Sequence, residues 1–351
     1  MQNNRYPEIT VLMPVFNAER YIGSAVASIL NQTFMDFELL IVDDGSTDAT
    51  METLSRFDDS RIRIIKNEGN RGIVYSLNKG ISLAQGKFIA RMDADDISEP
   101  SRLMLQHRYL TNHPHVDLCG SGMILFDDEG IIGKVYYNLD WDTLKAETLF
   151  NSPFPHPGVM VRREVLLANP YRAEALHAED YDLWSRLLRT HRGVNLPGFL
   201  LHYRISSDDI TAKASKRIDE RKRIISRIHQ DNFAYLGYTP TVDALNIHYQ
   251  LSSTEGIKRM ELGDIKMEVL RDHFHELLNS VRNTGYCRAA SFYSVCGKIY
   301  LKLLLYRGKD MGVWNFIVLL SSFQLWIGIG AAALLRASYF LRKVHQLTAR
   351  G

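Results

Sequence analysis

The sequence predicts an α/β protein with a mostly parallel central sheet, followed by a helical C-terminal region. Strand-like apolar runs alternate with amphipathic helix patterns from residue 9 to residue 112, as in sheets whose parallel strands are covered by helices. Several of these runs end in acidic or polar residues. Beyond residue 211 the strand patterns stop, and apolar residues recur at helical spacing. We therefore expect three parts, at residues 1–210, 211–300 and 301–351.

Length, charge and cysteine content limit the class of protein. The chain has 351 residues, which is enough to bury a large core. Its formal net charge of +2 gives no overall reason to expect nucleic acid as a partner. Three cysteines (Cys119, Cys287 and Cys296) lack the spacing of a metal site and favour a reducing compartment. The polar start of the chain has no signal-peptide pattern, so we expect it to begin in the cytoplasm.

The alternating part begins with a strand at residues 9–13. Pro14 is expected to end this strand because proline cannot donate to a ladder, and Asn17 is expected to cap the next helix. Further elements are expected as a strand at 37–42, a helix ending near Phe57, a strand at 61–65, a helix at 73–84 and a strand at 88–92. From residue 116 to residue 204 the pattern loosens into shorter elements.

The strand at 88–92 leads into Asp93, Asp95 and Asp96. Aspartate is disfavoured in strands, so these carboxylates should lie on the loop beyond the strand. Carboxylate oxygens suit Mg²⁺ or Mn²⁺, whereas the alternative is a solvated acidic turn. Polar clusters at residues 14–17 and 43–44 also follow strands. In parallel sheets ligands bind beyond the carboxyl ends of the strands, so three clusters at one edge favour a ligand site.

Two later stretches carry further candidate residues. Residues 151–158 are rich in proline, which is excluded from helix interiors, so they are predicted to form an ordered loop that contains His156. A helix pattern then opens near residue 177, with Glu179 and Asp180 at its start, where the helix dipole favours carboxylates.

The C-terminal tail is apolar. Residues 311–335 contain no charged side chain, and this length could span a bilayer. Polar residues and a glycine pair interrupt the stretch, and basic residues flank both sides, so the positive-inside rule gives no orientation. We expect the tail to attach the protein to the cytoplasmic side of the plasma membrane, by spanning it or lying in its surface. The alternative is a hydrophobic helical hairpin buried against the protein or a partner.

Most of the candidate residues lie in five stretches, which follow one another along the chain: Val11–Glu19, Ile41–Asp48, Asn70–Gly72, Ala84–Asp96 and Glu179–Asp180. Together they resemble family 2 glycosyltransferases over roughly residues 8–206. The resemblance implies a GT-A fold and a nucleotide-diphosphate sugar donor, with a UDP-sugar expected first. It also implies a divalent cation, Mn²⁺ or Mg²⁺, and inversion at the anomeric carbon.

The resemblance also implies roles on the donor side. Asp44 is expected to accept a hydrogen bond from the base. Asp95 is expected to ligate the metal directly, Asp93 to contact metal or ribose, and Asp96 to support them. Arg204 is expected to contact phosphate, because guanidinium suits phosphate bidentately. The full donor-binding set is Pro14, Val15, Phe16, Glu19, Asp44, Gly72, Asp93, Ala94, Asp95 and Arg204.

On the acceptor side, the resemblance makes Asp180 the base that deprotonates the acceptor hydroxyl. Glu179 is expected to orient or contact the acceptor, and helix capping is the alternative for this pair. His156 is a further acceptor-side candidate. His202 is either a ligand near the diphosphate or a satisfied core histidine, and the sequence leaves both possibilities open.

Other classes fit less well. An oxidoreductase that binds NAD needs a glycine-rich turn after its first strand. At that position this chain has no glycine but Pro14, Val15, Phe16 and Asn17. A nucleotidyltransferase making a sugar nucleotide would be expected to carry a glycine-rich and basic loop there. A non-catalytic scaffold subunit of a glycan-assembly complex is the remaining alternative. The expected partners are thus the sugar nucleotide, a glycan or polyprenyl-linked acceptor and a membrane surface, without nucleic acid.

Overall fold

The computed structural model describes residues 6–205, 214–260 and 267–309, together with positions 322, 324, 326–331, 333 and 336. Contacts divide the chain into two compact units. The sheet unit comprises Met1–Tyr137, Phe154–Leu183 and His191–Ala214, and the helical unit comprises Asn138–Pro153, Trp184–Thr190 and Ser215–Gly351. The expected division into three parts stays a prediction.

The strands are β1 (Ile9–Val15), β2 (Phe37–Asp43), β3 (Ile62–Lys66), β4 (Phe88–Arg91), β5 (Ile97–Ser98), β6 (Leu118–Phe126), β7 (Ile131–Val135), β8 (Met160–Arg162) and β9 (Gly193–Arg204). The α-helices are α1 (Ile22–Leu30), α2 (Thr50–Ser55), α3 (Ile73–Leu83), α4 (Arg102–Asn112), α5 (Trp141–Thr148), α6 (Arg163–Ala168), α7 (Glu179–Leu187), α8 (Ala214–Tyr235), α9 (Val242–Leu251), α10 (Thr254–Arg259), α11 (Met267–Thr284) and α12 (Ala289–Arg307). Short 3₁₀ turns lie at His156–Gly158 and Ala173–Ala175.

In the sheet unit, the strands assigned within the described residues form one sheet in the order β3-β2-β1-β4-β8-β6-β9-β5, with β7 paired to β6. The first four of these strands are parallel. Beyond them β4 pairs antiparallel with β8, and β8 antiparallel with β6. The α/β prediction is confirmed, and the mixed part of the sheet comes from the region where the sequence pattern loosens.

The first strand is longer than the sequence suggested. The expectation that Pro14 ends it is wrong, because β1 continues to Val15 and stays paired with β2. Along β1, the backbone groups of even-numbered residues face β4. For example, the carbonyl oxygen of Leu12 accepts a hydrogen bond from the amide of Met92 (3.0 Å). The ladder with β4 ends at Leu12. The missing N–H of Pro14 therefore costs no ladder bond in the described sheet.

A buried polar network holds the carboxyl end of β4. Arg102 and Gln106 on α4 are fully buried. Arg102 Nη2 donates to the carbonyl oxygen of Arg91 (2.6 Å), and Gln106 Nε2 donates to that of Gly158 (2.8 Å). Burial lowers the pKa of Arg102 to about 10, so it stays charged at neutral pH. Because buried polar groups are stable only when paired, these contacts fix the end of β4.

The helical unit packs α5 and α8–α12 around an apolar core that includes Phe150, Phe233, Phe274 and Phe292. The predicted helical C-terminal region is confirmed. No helix among the described residues is both long and apolar enough to cross a membrane. The expected membrane-attaching stretch, residues 311–335, lies mostly outside the described part of the chain.

A carboxylate is enclosed in the helical unit. Glu147 accepts a hydrogen bond from Asn138, which in turn accepts one from Lys298. Glu147 Oε2 is buried without a hydrogen-bond partner among the described residues. Burial, opposed by the charges of Lys298 and Lys302, raises the pKa of Glu147 to about 7. Because its pKa is higher in the folded than in the unfolded chain, Glu147 stabilises the fold at low pH, where it is protonated.

This carboxylate predicts a pH dependence of stability. The stabilisation linked to Glu147 is complete below its ordinary pKa of 4.5 and is lost as pH rises to about 7. We expect Glu147→Gln to raise the melting temperature relative to the native chain by more at about pH 8 than at about pH 5. Glu268→Gln, at an exposed position on α11, serves as control. A difference that is the same at both pH values would contradict the assignment.

Candidate functional site

The carboxyl ends of the parallel strands β1, β2 and β4 border an open cavity of about 240 Å³. Its lining residues are Pro14, Val15, Phe16, Asp44, Asn70, Gly72, Ile73, Ser76 and Asp93. Six of these were singled out from the sequence: Pro14, Val15, Phe16, Asp44, Gly72 and Asp93. The structure therefore gathers residues from four separate sequence motifs around one space in the sheet unit.

Asp44 organises one wall of this cavity. Its Oδ1 accepts hydrogen bonds from Asn67 Nδ2 (2.7 Å), the Arg71 amide (2.9 Å) and the Ser76 hydroxyl (3.0 Å). Its Oδ2 accepts from the amide of Gly72 (2.8 Å), whose φ of 85° suits glycine. Asp44 thus shapes the loop before α3, and its expected contact with the base stays a prediction.

The turn after β1 is tied to the turn after β2. Asn17 has a φ of 49°, and its Oδ1 accepts from the amide of Thr47 (2.8 Å). The expectation that Asn17 caps α1 is wrong, because Tyr21 is the residue at the start of that helix. Glu19 Oε2 accepts from the amide of Ala49 (2.8 Å) before α2. Its expected place in the nucleoside pocket stays a prediction.

Three carboxylates cluster beyond β4. Ligand oxygens of Asp93, Asp95 and Asp96 lie within 4.8 Å of one another. Asp96 is 1% exposed, and its Oδ2 is buried without a hydrogen-bond partner in the described part of the chain. Burial, followed by the charges of Asp93 and Asp95, raises the pKa of Asp96. The cluster therefore combines one buried carboxyl group with two half-buried ones.

Arg91 supplies part of the compensating charge. Its side chain is buried and forms an ion pair with Asp93. Burial lowers the pKa of Arg91, but the adjacent Asp93 carboxylate outweighs this, and the net direction is upward. A buried cation next to a half-buried carboxylate fixes both partners, since separating them would leave an uncompensated charge.

Arg204 contacts the acidic loop through both its backbone amide and its side chain. Its amide donates to Asp96 Oδ1 (2.9 Å) and its Nε donates to the carbonyl oxygen of Asp95 (3.0 Å). The guanidinium carbon lies 4.1 Å from the ring centre of Tyr21 and 4.4 Å from that of Phe126, which are cation–π distances. Its Nη1 pairs with Asp128 Oδ1 (2.9 Å). These contacts make Arg204 a positioning residue for the loop, and its expected phosphate contact stays a prediction.

A buried hydroxyl lies among the charged groups of the site. The Tyr171 hydroxyl is 2.9 Å from His156 Nε2. Burial raises the pKa of Tyr171, Arg91 opposes this, and the charges of Asp180, Glu179 and Asp93 add to it. Burial and then Arg91 lower the pKa of His156. At neutral pH this pair is therefore uncharged, and the acidic cluster and the Glu179–Asp180 pair both act on it.

Glu179 and Asp180 begin α7, as the sequence predicted. Glu179 is 8% exposed, and its Oε2 is buried without a hydrogen-bond partner among the described residues. Burial and then Asp180 raise the pKa of Glu179. His177, just before the pair, has a φ of 72°, which is uncommon for a residue other than glycine. Such local strain persists only where the surrounding structure imposes it.

His202 faces a different carboxylate. Its Nε2 lies 2.5 Å from Glu99 Oε1. In the sheet, the backbone of His202 on β9 is paired with that of Ile97 on β5. Within the described residues, the group of side chains arranged as a metal site consists of the three aspartates. Of the two possibilities left open by the sequence, the contacts of His202 favour a structural histidine.

Sequence reasoning missed Arg91, Tyr171 and the ring pair around Arg204. Arg91 gave a signal, because a charged residue inside an apolar strand needs a partner. Tyr171 gave none, because its contacts are set by Asn78. The Asn78 side chain bonds both the amide (3.0 Å) and the carbonyl (2.9 Å) of Tyr171. Tyr21, Phe126 and Arg204 are far apart in sequence, and no local pattern connects them.

The oxygen atoms of the three carboxylates suit a divalent cation. Carboxylate oxygens are the preferred ligands of Mg²⁺ and Mn²⁺, and three of them converge here with one buried oxygen unpaired. Asp93 belongs both to this cluster and to the lining of the cavity beside Asp44. A cation held by the cluster would therefore lie at the edge of that cavity.

Comparisons with known proteins concern the chain as a whole. The family model "Glycosyl transferase family 2" matches residues 10–168. A Haemophilus influenzae protein, "Uncharacterized glycosyltransferase", is 31% identical over 293 residues, covering 78% of this chain and 87% of that protein. An Escherichia coli protein, "UDP-Glc:alpha-D-GlcNAc-diphosphoundecaprenol beta-1,3-glucosyltransferase WfgD", is 28% identical over 66% of this chain and 90% of its own.

The fold has solved counterparts. The structure of Staphylococcus aureus TarS 1-349 in complex with UDP-GlcNAc aligns with a TM-score of 0.54 at 17% identity, covering 91% of this chain and 92% of that one. At this identity the likeness concerns the fold. Together with the family match, it confirms the predicted GT-A fold.

The contacts of Arg204 predict a loss of cation affinity on substitution. Arg204→Lys keeps the charge but removes the planar fork that stacks between two rings. Residues that support metal ligands in this way typically change affinity by about tenfold to a hundredfold. We expect the dissociation constant for Mn²⁺, measured by isothermal titration, to rise by about tenfold or more. Arg56→Lys, at an exposed position, should leave it unchanged. Equal affinity in both variants would contradict the positioning role.

Proposed function

The chain belongs to glycosyl transferase family 2, and we propose that it is a cation-dependent, inverting enzyme. In this proposal it moves a sugar from a nucleotide-diphosphate donor to a hydroxyl of a glycan or lipid-linked acceptor. The observation that carries the proposal is the shared position of Asp93, which both lines the cavity beside Asp44 and belongs to the three-carboxylate cluster. A nucleoside in the cavity would have its diphosphate next to the cluster.

The donor side follows from this geometry. Pro14, Val15 and Phe16 line the cavity where a nucleoside would lie, and Asp44 Oδ2, which accepts one hydrogen bond from Gly72, has capacity for another. Asp95 and Asp93 would hold Mn²⁺ or Mg²⁺, supported by Asp96. Such a cation, when bound, neutralises charge on the leaving diphosphate. A UDP-sugar is the first candidate donor.

Asp180 is the proposed base. Glu179 is more deeply buried and its pKa is raised, which favours its neutral form, whereas Asp180 is half-exposed. The deeper burial of Glu179 suits a role in orienting the acceptor, and the greater exposure of Asp180 suits the role of base. In the displacement the acceptor oxygen bonds to the anomeric carbon as the bond to the diphosphate breaks. The acceptor proton passes to Asp180, and Glu179 orients the acceptor.

The neutral pair of His156 and Tyr171 fits the acceptor side. Its hydrogen bond connects the turn at His156–Gly158 to the segment before α7. We place His156 where an acceptor hydroxyl would approach, with Tyr171 fixing its ring. A neutral imidazole can accept or donate to a sugar hydroxyl without adding charge to the site.

A lipid-linked acceptor and membrane attachment complete the proposal. The name of the Escherichia coli relative specifies an acceptor linked to diphosphoundecaprenol. The uncharged stretch at residues 311–335 would hold the protein at the cytoplasmic side of the plasma membrane, where such acceptors are embedded. Among the alternatives, a nucleotidyltransferase is disfavoured by the family match, and a scaffold role by the complete set of acidic residues.

Asp180→Asn tests the base. Without a proton acceptor, sugar transfer should fall by about a hundredfold to ten-thousandfold, while donor affinity should stay nearly unchanged because Asp180 is not in the cavity lining. Transfer is measured with a labelled sugar nucleotide, and donor binding by calorimetry. Asp58→Asn, exposed in the turn before β3, is the matched control. Transfer at the native rate in the Asp180 variant would exclude this residue as the base.

Removal of divalent cations tests the acidic cluster. We expect a chelator to abolish transfer and added Mn²⁺ or Mg²⁺ to restore it, because the leaving diphosphate would otherwise face uncompensated carboxylates. Asp95→Asn should require a higher cation concentration for half-maximal rate. Full activity after rigorous chelation would refute cation dependence and leave family membership untouched.

A further inference from the structure

The helical unit exposes apolar and basic side chains together at the end of α12. We define the α10–α12 patch by Lys258 and Arg259 at the end of α10, Leu305, Tyr306 and Arg307 at the end of α12, and Lys309 just beyond. Leu305 is 69% exposed and Tyr306 is 46% exposed. Lys258 Nζ lies 5.1 Å from the ring centre of Tyr306, and Arg307 Nη1 donates to the carbonyl oxygen of Lys258 (3.3 Å). These contacts join Lys258, Tyr306 and Arg307, and the other members of the patch are their neighbours in the sequence.

The patch is strongly cationic. Lys258, Arg259 and Lys309 are exposed and Arg307 is half-exposed. Among the described residues, Glu255 pairs with Arg259 (2.9 Å), and both of these side chains are largely solvated. In the sequence, Glu261 and Asp310 are the acidic residues next to the patch. An exposed pair of this kind contributes little stability, so its charges remain available to a partner. The positive charge of the patch therefore suits a negatively charged surface.

The apolar members suit a surface with a hydrophobic interior. Tyrosine is enriched where membranes meet water, because its ring is apolar and its hydroxyl is polar. Lysine and arginine near such a ring can bury their stems while keeping the charge at the head groups. A leucine more than two-thirds exposed next to four cations is the combination found on surfaces that lie on anionic membranes.

The course of the chain argues for the same partner. Two residues after Lys309 begins the stretch 311–335, which has no charged side chain. The proposed membrane-attaching segment therefore starts directly from the patch. The described residues Gln324 and Gly328 of this stretch lie beside Gly297 of α12, so the stretch and the patch belong to the same helical unit.

We propose that the α10–α12 patch is the surface with which the helical unit contacts an anionic lipid bilayer. Leu305 and Tyr306 would enter the head-group region while Lys258, Arg259, Arg307 and Lys309 bind lipid phosphates. The inference rests on the membrane attachment in the proposed function and adds to it the face that contacts the lipid.

A site-specific label tests the contact directly. The native cysteines are all buried, so the full chain with Leu305→Cys can be labelled at one exposed position with a dye that reports polarity. We expect its emission to shift to the blue, and to be quenched by spin-labelled lipid, in vesicles of equal parts phosphatidylglycerol and phosphatidylcholine. The same label at Val242→Cys, 76% exposed on α9, should not respond. No change at position 305 while the protein sediments with vesicles would overturn the proposal, as would a shift caused by raising protein concentration without lipid.

Charge removal gives a second measurement. Each cation near an anionic surface contributes about 1 kcal/mol, which is roughly a fivefold change in affinity. The double change Lys258→Gln with Arg259→Gln should therefore weaken binding to the same vesicles by about twenty-five-fold. The control Arg56→Gln with Arg108→Gln removes two exposed charges from the sheet unit and should have no effect. Equal binding by both double variants would contradict the proposal.

The outcome is separable from that of the proposed function, because neither measurement contains donor or acceptor. A protein that transfers sugar but shows no lipid contact at position 305 refutes the α10–α12 patch alone. Lipid contact at position 305 in a protein that transfers no sugar refutes the proposed function alone.

Discussion

Mutual repulsion among Asp93, Asp95 and Asp96 is the constraint on which the site depends. At an effective dielectric near 20, two unit charges about 4 Å apart repel by roughly 4 kcal/mol. Three carboxylates within 4.8 Å therefore need compensating charge or a raised pKa at one of them. The chain provides some of it, through the ion pair of Arg91 with Asp93 and through Arg204, whose amide donates to Asp96 and whose guanidinium donates to the Asp95 carbonyl. Burial, followed by the charges of Asp93 and Asp95, raises the pKa of Asp96.

The architecture places this charge where it can be used. β1, β2 and β4 run parallel, so the loops that follow them meet at one edge. The end of β4 is fixed by Arg102, whose guanidinium donates to the Arg91 carbonyl inside the core. Burying a guanidinium for this purpose is costly unless it is paired. Its hydrogen bonds to the carbonyl oxygens of Arg91 and Val159 provide that pairing at the end of β4, just before the acidic loop.

The sequence predicted what depends on local pattern. Apolar runs located the parallel strands, and the change to acidic residues after Met92 located the cluster. Features set by distant partners were not predictable. Pro14 stays in β1 because the neighbouring strand has already ended, and Asn17 bonds the turn after β2 rather than a helix. The role of Arg204 depends on Tyr21 and Phe126, and neither the spacing nor the types of these residues indicates that they meet.

The central claim is that the acidic cluster and the Asp44 cavity form one site for a cation and a nucleotide diphosphate. Crystals grown with Mn²⁺ and UDP test it most directly, because manganese is located independently by its anomalous scattering. We expect a manganese peak bonded to Asp95, with the nucleoside between Phe16 and Asp44. Manganese absent from the cluster, or a nucleotide bound away from Asp44, would contradict the claim.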